Sequence, residues 1–211
     1  IRDRAYTKLV PESIGANSDN LFGAYLFSVY EFDGNDIAAA KARLECFTPA
    51  MQAHPTLKRI AEKVAAAENT EIGKPYMDLT LPDAAGEPTA LSGIIGNGCW
   101  VLLDFWATWC GPCCREIPHL REAYAACKSK GLEIYGVSLD NDAAKWKTFV
   151  ADNDMPWINV LGVSADKRSD AATMYGISSI PANFLISPEG IIVARDLRGE
   201  NIKARLEEAM R

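Results

Sequence analysis

The sequence predicts an α/β fold: a mixed sheet with helices on its faces, preceded by a small helical segment. Three observations carry this. First, two apolar runs, 99–105 and 132–139, are too short for ordinary helices and rich in Val, Leu, Ile and aromatic residues, so they read as buried central strands. Second, the first run leads into a helical pattern, with Ile117, Leu120, Tyr124 and Cys127 at three- and four-residue spacings. Third, the chain closes with a hairpin, residues 182–186 and 191–197 across Pro188-Glu189-Gly190, and an amphipathic helix from about residue 200. Parallel strands joined by helices, then an antiparallel hairpin and a last helix, make a mixed sheet covered on its faces.

Taken in order, residues 1–72 read as a helical module, with residues 73–211 as the second unit. Polar residues 17–20 provide a cap for a helix from Leu21 to Tyr30. Gly34-Asn35-Asp36 breaks the chain and caps a second helix, Ile37 to Phe47. Thr48-Pro49 and His54-Pro55 mark two further starts, each with Pro near the first helical position. Leu57, Ile60, Ala61 and Val64 then share one apolar face, and no catalytic constellation falls in this segment.

Lys74 to Pro82 alternates and reads as a strand, Asp83 to Glu87 as a turn, and Pro88 to Leu91 as the return strand. Residues 92–98 hold a short helical turn at most. The central strand and its helix follow, the helix stopping near Lys130-Gly131. Asp140-Asn141-Asp142 caps a helix from Ala143 to Ala151, Met155 to Val160 is extended, and Ser169 to Tyr175 is a short helix. The remaining cysteines, Cys46, Cys99 and Cys127, sit in apolar patterns and read as small core residues.

Composition narrows the function. Hydrophobic content of 48% with 24% charged residues is that of a globular chain, and a net charge of −6 with no basic cluster excludes nucleic acid as a direct partner. No apolar run reaches the length of a membrane span. The chain opens at Ile1 rather than Met and reads as a processed or cut-down piece. Six cysteines around one Cys-x-x-Cys, with only His54 and His119 as histidines, fit neither a disulfide framework nor a four-ligand zinc site.

The chemistry concentrates at Cys110-Gly111-Pro112-Cys113, where the central strand hands over to a helix. Two thiols three residues apart on a first helical turn have Cβ atoms roughly 5–6 Å apart, close to disulfide geometry. The unpaired N–H groups and the dipole at that helix end favour a thiolate on Cys110. The pair is read as a redox dithiol.

Trp109-Cys110-Gly111-Pro112-Cys113 resembles the thioredoxin active site. Asp104 stands six residues before Cys110, where thioredoxins keep a buried carboxylate, and Pro118 stands where their active-site helix is kinked. Ile180-Pro181 is similar to the family's cis-proline loop. Glu116, in Cys114-Arg115-Glu116-Ile117-Pro118, and the lead-in from Lys74 to Leu91 resemble the TlpA/ResA-like group of extracytoplasmic thiol–disulfide reductases. The resemblance covers residues 73–211 and implies a thioredoxin-like α/β/α sandwich.

It also implies roles. Cys110 is expected to be the exposed attacking thiolate and Cys113 the buried resolving thiol. Asp104, with its pKa raised by burial, would take the proton of Cys113, and Glu116 would titrate with the dithiol. Trp109, Gly111, Pro112, Ile180 and Pro181 would form the substrate-docking surface, the Ile180 backbone pairing with an extended substrate segment. Cys114 is expected to be a bystander. The function implied is disulfide reduction on a protein substrate, with an upstream thiol electron donor and no metal or other cofactor. The site would be extracytoplasmic, a bacterial periplasm, with membrane contact only through an N-terminal anchor missing from this sequence. Two alternatives are a thiol peroxidase of peroxiredoxin type and a Cu(I)-binding module using Cys110, Cys113 and Cys114. The first wants a threonine three residues before its cysteine, where this chain has Ala107.

Overall fold

The computed structural model of the chain describes residues 2–31, 36–164 and 169–211. The expected turn at Gly34-Asn35 lies outside them. The chain divides into two compact units, Ile1–Asn69 and Thr70–Arg211, a division slightly ahead of the boundary read from the sequence.

The first unit is helical. Helix α1 spans Arg2–Ala16, ahead of the first helix singled out in the sequence. Helix α2, Leu21–Leu26, runs on into a π turn, Phe27–Glu31. Helices α3 (Ile37–Glu45), α4 (Pro49–Gln52) and α5 (Pro55–Asn69) follow. Their starts are capped by side chains that satisfy otherwise unpaired N–H groups. Asn20 Oδ1 accepts from Phe22 N at 3.0 Å, and Asp36 Oδ1 from Ala39 N at 2.9 Å. Thr48 Oγ1 accepts from Met51 N at 3.4 Å, and His54 Nδ1 from Thr56 N at 3.3 Å. Ile14, Phe27, Phe47, Met51, Leu57, Ile60 and Val64 form the unit's own core. Cys46 departs from its expected place in that core: it ends α3 exposed, its Sγ directed to the Ala42 carbonyl at 3.3 Å.

The second unit opens with a short hairpin, β1 (Thr80–Pro82) and β2 (Pro88–Ala90), then α6 (Leu91–Ile95). The expected strand from Lys74 shrinks to β1 because its first part is used elsewhere. Gly73 N donates to Ile192 O at 2.8 Å, Ile192 N to Lys74 O at 2.9 Å and Tyr76 N to Gly190 O at 2.9 Å. The Tyr175 hydroxyl fastens the middle of this lead-in, donating to Met77 O at 2.6 Å and accepting from Met77 N at 3.1 Å.

The main sheet holds β3 (Trp100–Trp106), β4 (Leu132–Ser138), β5 (Ile158–Leu161), β6 (Ala182–Ile186) and β7 (Ile192–Arg195), in the order β5-β4-β3-β6-β7. β3, β4 and β5 run parallel; β6 pairs antiparallel with β3, and β7 with β6. The helices are α7 (Gly111–Cys127), α8 (Ala143–Asp152), α9 (Asp170–Met174) and α10 (Asn201–Ala209).

Strand alternation sorts the two cores. Leu102, Trp106, Ile134 and Leu185 pack with α7, α10 and Trp146 of α8. Val101, Leu103, Phe105, Tyr135, Val137 and Phe184 pack on the opposite side with Leu91, Ile95 and Tyr175. Asp104 lies between Leu103 and Phe105, so the period of two directs it to the face that α7 covers. That parity puts a carboxyl beneath α7.

Candidate redox site

The site is built where β3 ends. Residues 107–109 turn the chain, and Cys110 becomes the N-cap of α7, its Sγ accepting from Cys113 N at 3.2 Å. Pro112 falls in the first turn, where its missing N–H would have had no helical partner. Cys110 and Cys113 are joined by a disulfide, with Cα atoms 5.2 Å apart. Cys110 Sγ lies 3.7 Å from the carbonyl oxygen of Ile180, and the Ile180–Pro181 peptide bond is cis.

The turn is held from β4. Thr108 donates to Asp140 twice, from its N–H at 2.9 Å and from Oγ1 at 2.6 Å, and Ser138 Oγ donates to the same carboxylate at 2.8 Å. Asp140 is buried, and these donors replace its lost water. The sequence reading grouped Asp140 with the cap of α8. That cap is Asp142, which accepts from Ala144 N and Lys145 N, both at 3.0 Å. A helix needs one N-cap, and the surplus acid was the available signal.

Exposure differs from expectation at the first cysteine. Trp109 is 62% exposed, and Gly111 and Pro112 are also exposed, but Cys110 is only 5% exposed, close to the 2% of Cys113. In the disulfide form the Cys110 sulfur is covered by its own helix turn and the Ile180 carbonyl. Ile180 and Pro181 are half-buried, and Trp106 belongs to the core.

Asp104 is buried to 6% exposure, and its pKa is raised to about 7. Loss of water is the main cause, since it penalises the carboxylate. The Arg198 guanidinium and a hydrogen bond from Asn183 oppose that rise, while the Glu116 carboxylate adds to it. Glu116 is half-buried and accepts from Gly199 N at 2.7 Å, so it is not a freely solvated side chain.

Sequence reasoning missed Asn183, Arg198 and Gly199. Asn183 is the cross-strand partner of Asp104. Its amide makes a two-way pair with Leu197, Nδ2 to O at 3.0 Å and N to Oδ1 at 2.8 Å. A polar residue in the otherwise apolar run 182–186 was the signal for it.

Cys114 is half-buried, with Sγ 3.6 Å from the Thr108 carbonyl and 3.9 Å from that of Ala107. Burial and then the Asp140 charge push its thiol pKa up. A thiol held protonated is a poor nucleophile. Cys114→Ser is therefore expected to keep disulfide-reductase activity within about twofold, since exchange rate follows the thiolate available. Loss of turnover in the folded variant would show that Cys114 takes part. Among the described residues, no group of three or more His, Cys, Asp or Glu side chains is placed to hold a metal ion.

A disulfide-forming pair at a helix start, over a mixed sheet of this order, defines a thiol–disulfide oxidoreductase of thioredoxin-like fold. The chain belongs to the AhpC/TSA family, whose profile matches residues 72–195. It is 34% identical over 144 residues to the thiol-disulfide oxidoreductase ResA of Bacillus thuringiensis subsp. konkukian, covering 68% of this chain and 79% of that one. Among solved structures it is similar to the thioredoxin domain of a thiol-disulfide oxidoreductase from Bacteroides vulgatus. That match has a TM-score of 0.62 and 34% identity, over 67% of this chain and 99% of that one. A putative thiol:disulfide interchange protein DsbE from Chlorobium tepidum matches with a TM-score of 0.58 and 28% identity, over 66% and 97% of the two chains.

Proposed function

We propose that the chain reduces disulfides of protein substrates through a Cys110–Cys113 cycle. The observation that carries this is the pair itself, at the start of α7 with Cys110 Sγ against the Ile180 carbonyl. In the reduced form, the Cys113 N–H and the end of a 17-residue helix stabilise a thiolate on Cys110. That thiolate attacks a substrate disulfide, forming a mixed disulfide and releasing one substrate sulfur as thiolate, which takes a proton from water. Cys113 gives its proton to Asp104 and attacks the Cys110 sulfur. The Cys110–Cys113 disulfide forms and the second substrate thiolate leaves. Two electrons have passed from the dithiol to the substrate.

An upstream thiol donor restores the dithiol by the same exchange in reverse. Trp109, Gly111 and Pro112 form the exposed apolar rim for docking, and Ile180 and Pro181 supply the backbone edge beside it. Glu116 modulates the proton on Asp104. The first unit has no part in the chemistry. The resemblance to the TlpA/ResA group supports an extracytoplasmic site, a periplasm in a bacterium. No described helix is long and apolar enough to cross a membrane.

The test is the equilibrium reduction potential of the pair in a thiol redox buffer, with insulin-type disulfide reduction measured beside it. A potential toward the reducing end of the scale is expected, and one of about −120 mV, that of a strong oxidant, would overturn the reductase direction. Peroxide consumption assayed on the same sample separates the peroxidase alternative. Peroxide turnover in place of insulin reduction would sink the proposal.

A further inference from the structure

The segment after β7, Asp196-Leu197-Arg198-Gly199, supplies no group to the thiol–disulfide exchange itself. It nevertheless touches both halves of the site. Arg198 Nη2 donates to the carbonyl of Pro181, and Nη1 donates to the carbonyl of Leu197 at 2.8 Å. The Leu197 carbonyl also accepts from Asn183 Nδ2 at 3.0 Å, and Asn183 faces Asp104 across the strands. Next in the chain, Gly199 N binds Glu116 on α7 at 2.7 Å.

We propose that Arg198 is a positioning residue of the redox site. Its guanidinium fork holds the carbonyl of Pro181, beside the substrate-docking backbone, to the Leu197–Asn183 pair that backs the Asp104 carboxyl. This rests on the roles given above to Pro181 and Asp104. The groups facing Asp104 fit such a device. Arg198 brings the positive charge, Glu116 of α7 a negative one and Asn183 of β6 an amide, while Gly136, its neighbour on β4, brings no side chain. Asp196 lies 3.6 Å from the same guanidinium and accepts from Arg195 Nε at 3.0 Å. A planar fork can hold two carbonyls at once, and a lysine ammonium is a poor substitute. One side chain thus sets where the docking backbone lies and how tightly Asp104 holds its proton.

The test uses Arg198→Met and Arg198→Lys in the full chain. The Asp104 carboxyl carbon is followed by NMR across pH in the oxidised protein, where the dithiol does not titrate. In Arg198→Met the midpoint should rise above the wild-type value of about 7, because the favourable charge is gone. The KM for a disulfide peptide should rise about tenfold, the size of one charge-assisted hydrogen bond. Arg198→Lys should keep the midpoint near wild type but still raise KM. Either quantity unmoved in folded Arg198→Met would overturn the inference. If that variant does not fold, an unchanged KM in Arg198→Lys would do the same. Asp104→Asn with wild-type turnover at every pH would instead refute the role given to Asp104. The Arg198 link is judged on midpoint and KM alone, so the two failures are distinguishable.

Discussion

Cys110→Ser is expected to lower disulfide turnover by about a thousandfold or more, as removal of a covalent nucleophile does. A hydroxyl in that place has the same Cys113 N–H and helix start beside it, but its pKa is far too high for attack at neutral pH. Cys113→Ser should behave differently. Its Cys110 is intact, so it should capture one substrate sulfur and stop, because the group proposed to release the mixed disulfide is missing. Peptide mass spectrometry of the non-reduced protein after mixing with a disulfide substrate should place the substrate on Cys110 in Cys113→Ser and leave Cys113 unmodified in Cys110→Ser, the free, exposed Cys46 being read as a separate peptide. The reverse pattern would exchange the two roles. The structure makes this a real test, since Cys110 and Cys113 are almost equally buried in the disulfide form and exposure does not separate them. The separation rests on the chain direction: Cys110 is the cap, open to the helix end, and Cys113 lies one turn in.

Asp104→Asn is expected to stabilise the oxidised protein at alkaline pH and to change little in acid. The sign follows from proton linkage. The folded carboxyl titrates at about 7, well above its ordinary value of 3.8 in an unfolded chain. Between those values the folded state holds a proton that the unfolded state has released, so stability falls as pH rises through the window. Above it the fold carries a buried carboxylate, at a cost of about 4 kcal/mol. Asparagine is neutral and similar in shape, so it removes that cost. The gain should be near zero below about pH 4 and reach about 4 kcal/mol above about pH 8, a net figure that already includes the favourable Arg198 charge. Denaturant unfolding of both proteins across that range measures it, and a gain independent of pH would show that the carboxyl charge is not the cause. The same substitution should slow turnover by about a hundredfold if, as proposed, Asp104 accepts the proton of Cys113. A variant more stable and less active would mark Asp104 as a residue kept for chemistry at the expense of the fold.

Much of this architecture is legible in local pattern. The apolar run 99–105, Cys110-Gly111-Pro112-Cys113 and the spacing from Ile117 to Cys127 determine a strand, a helix start with two thiols on its first turn, and a buried helix face. Each follows from a short-range rule: the period of a strand, the place of proline in a first turn, the period of a helix. Asp104 was visible for the same reason, as a charge interrupting an apolar run.

What surrounds Asp104 was decided only by tertiary structure. Asn183, Arg198 and Gly199 reach the site because β6 pairs antiparallel with β3 in the register that sets Asn183 opposite Asp104. Slipping that register by one residue would turn Asn183 to the other face, so packing on both faces of the sheet selects it. Asp140 likewise reads as a helix cap until the parallel pairing of β3 and β4, which sets Trp106 opposite Ser138, brings it to Thr108. The Lys74 strand gave way to Thr80–Pro82 because its first residues bond to the 190–192 segment. Cys46 shows the same limit, since an apolar neighbourhood in the chain did not make it a core residue. Sequence periodicity specifies which residues share an element and a face. Which elements meet, and therefore which polar groups end up around a buried carboxyl, depends on long-range pairing that no local window contains.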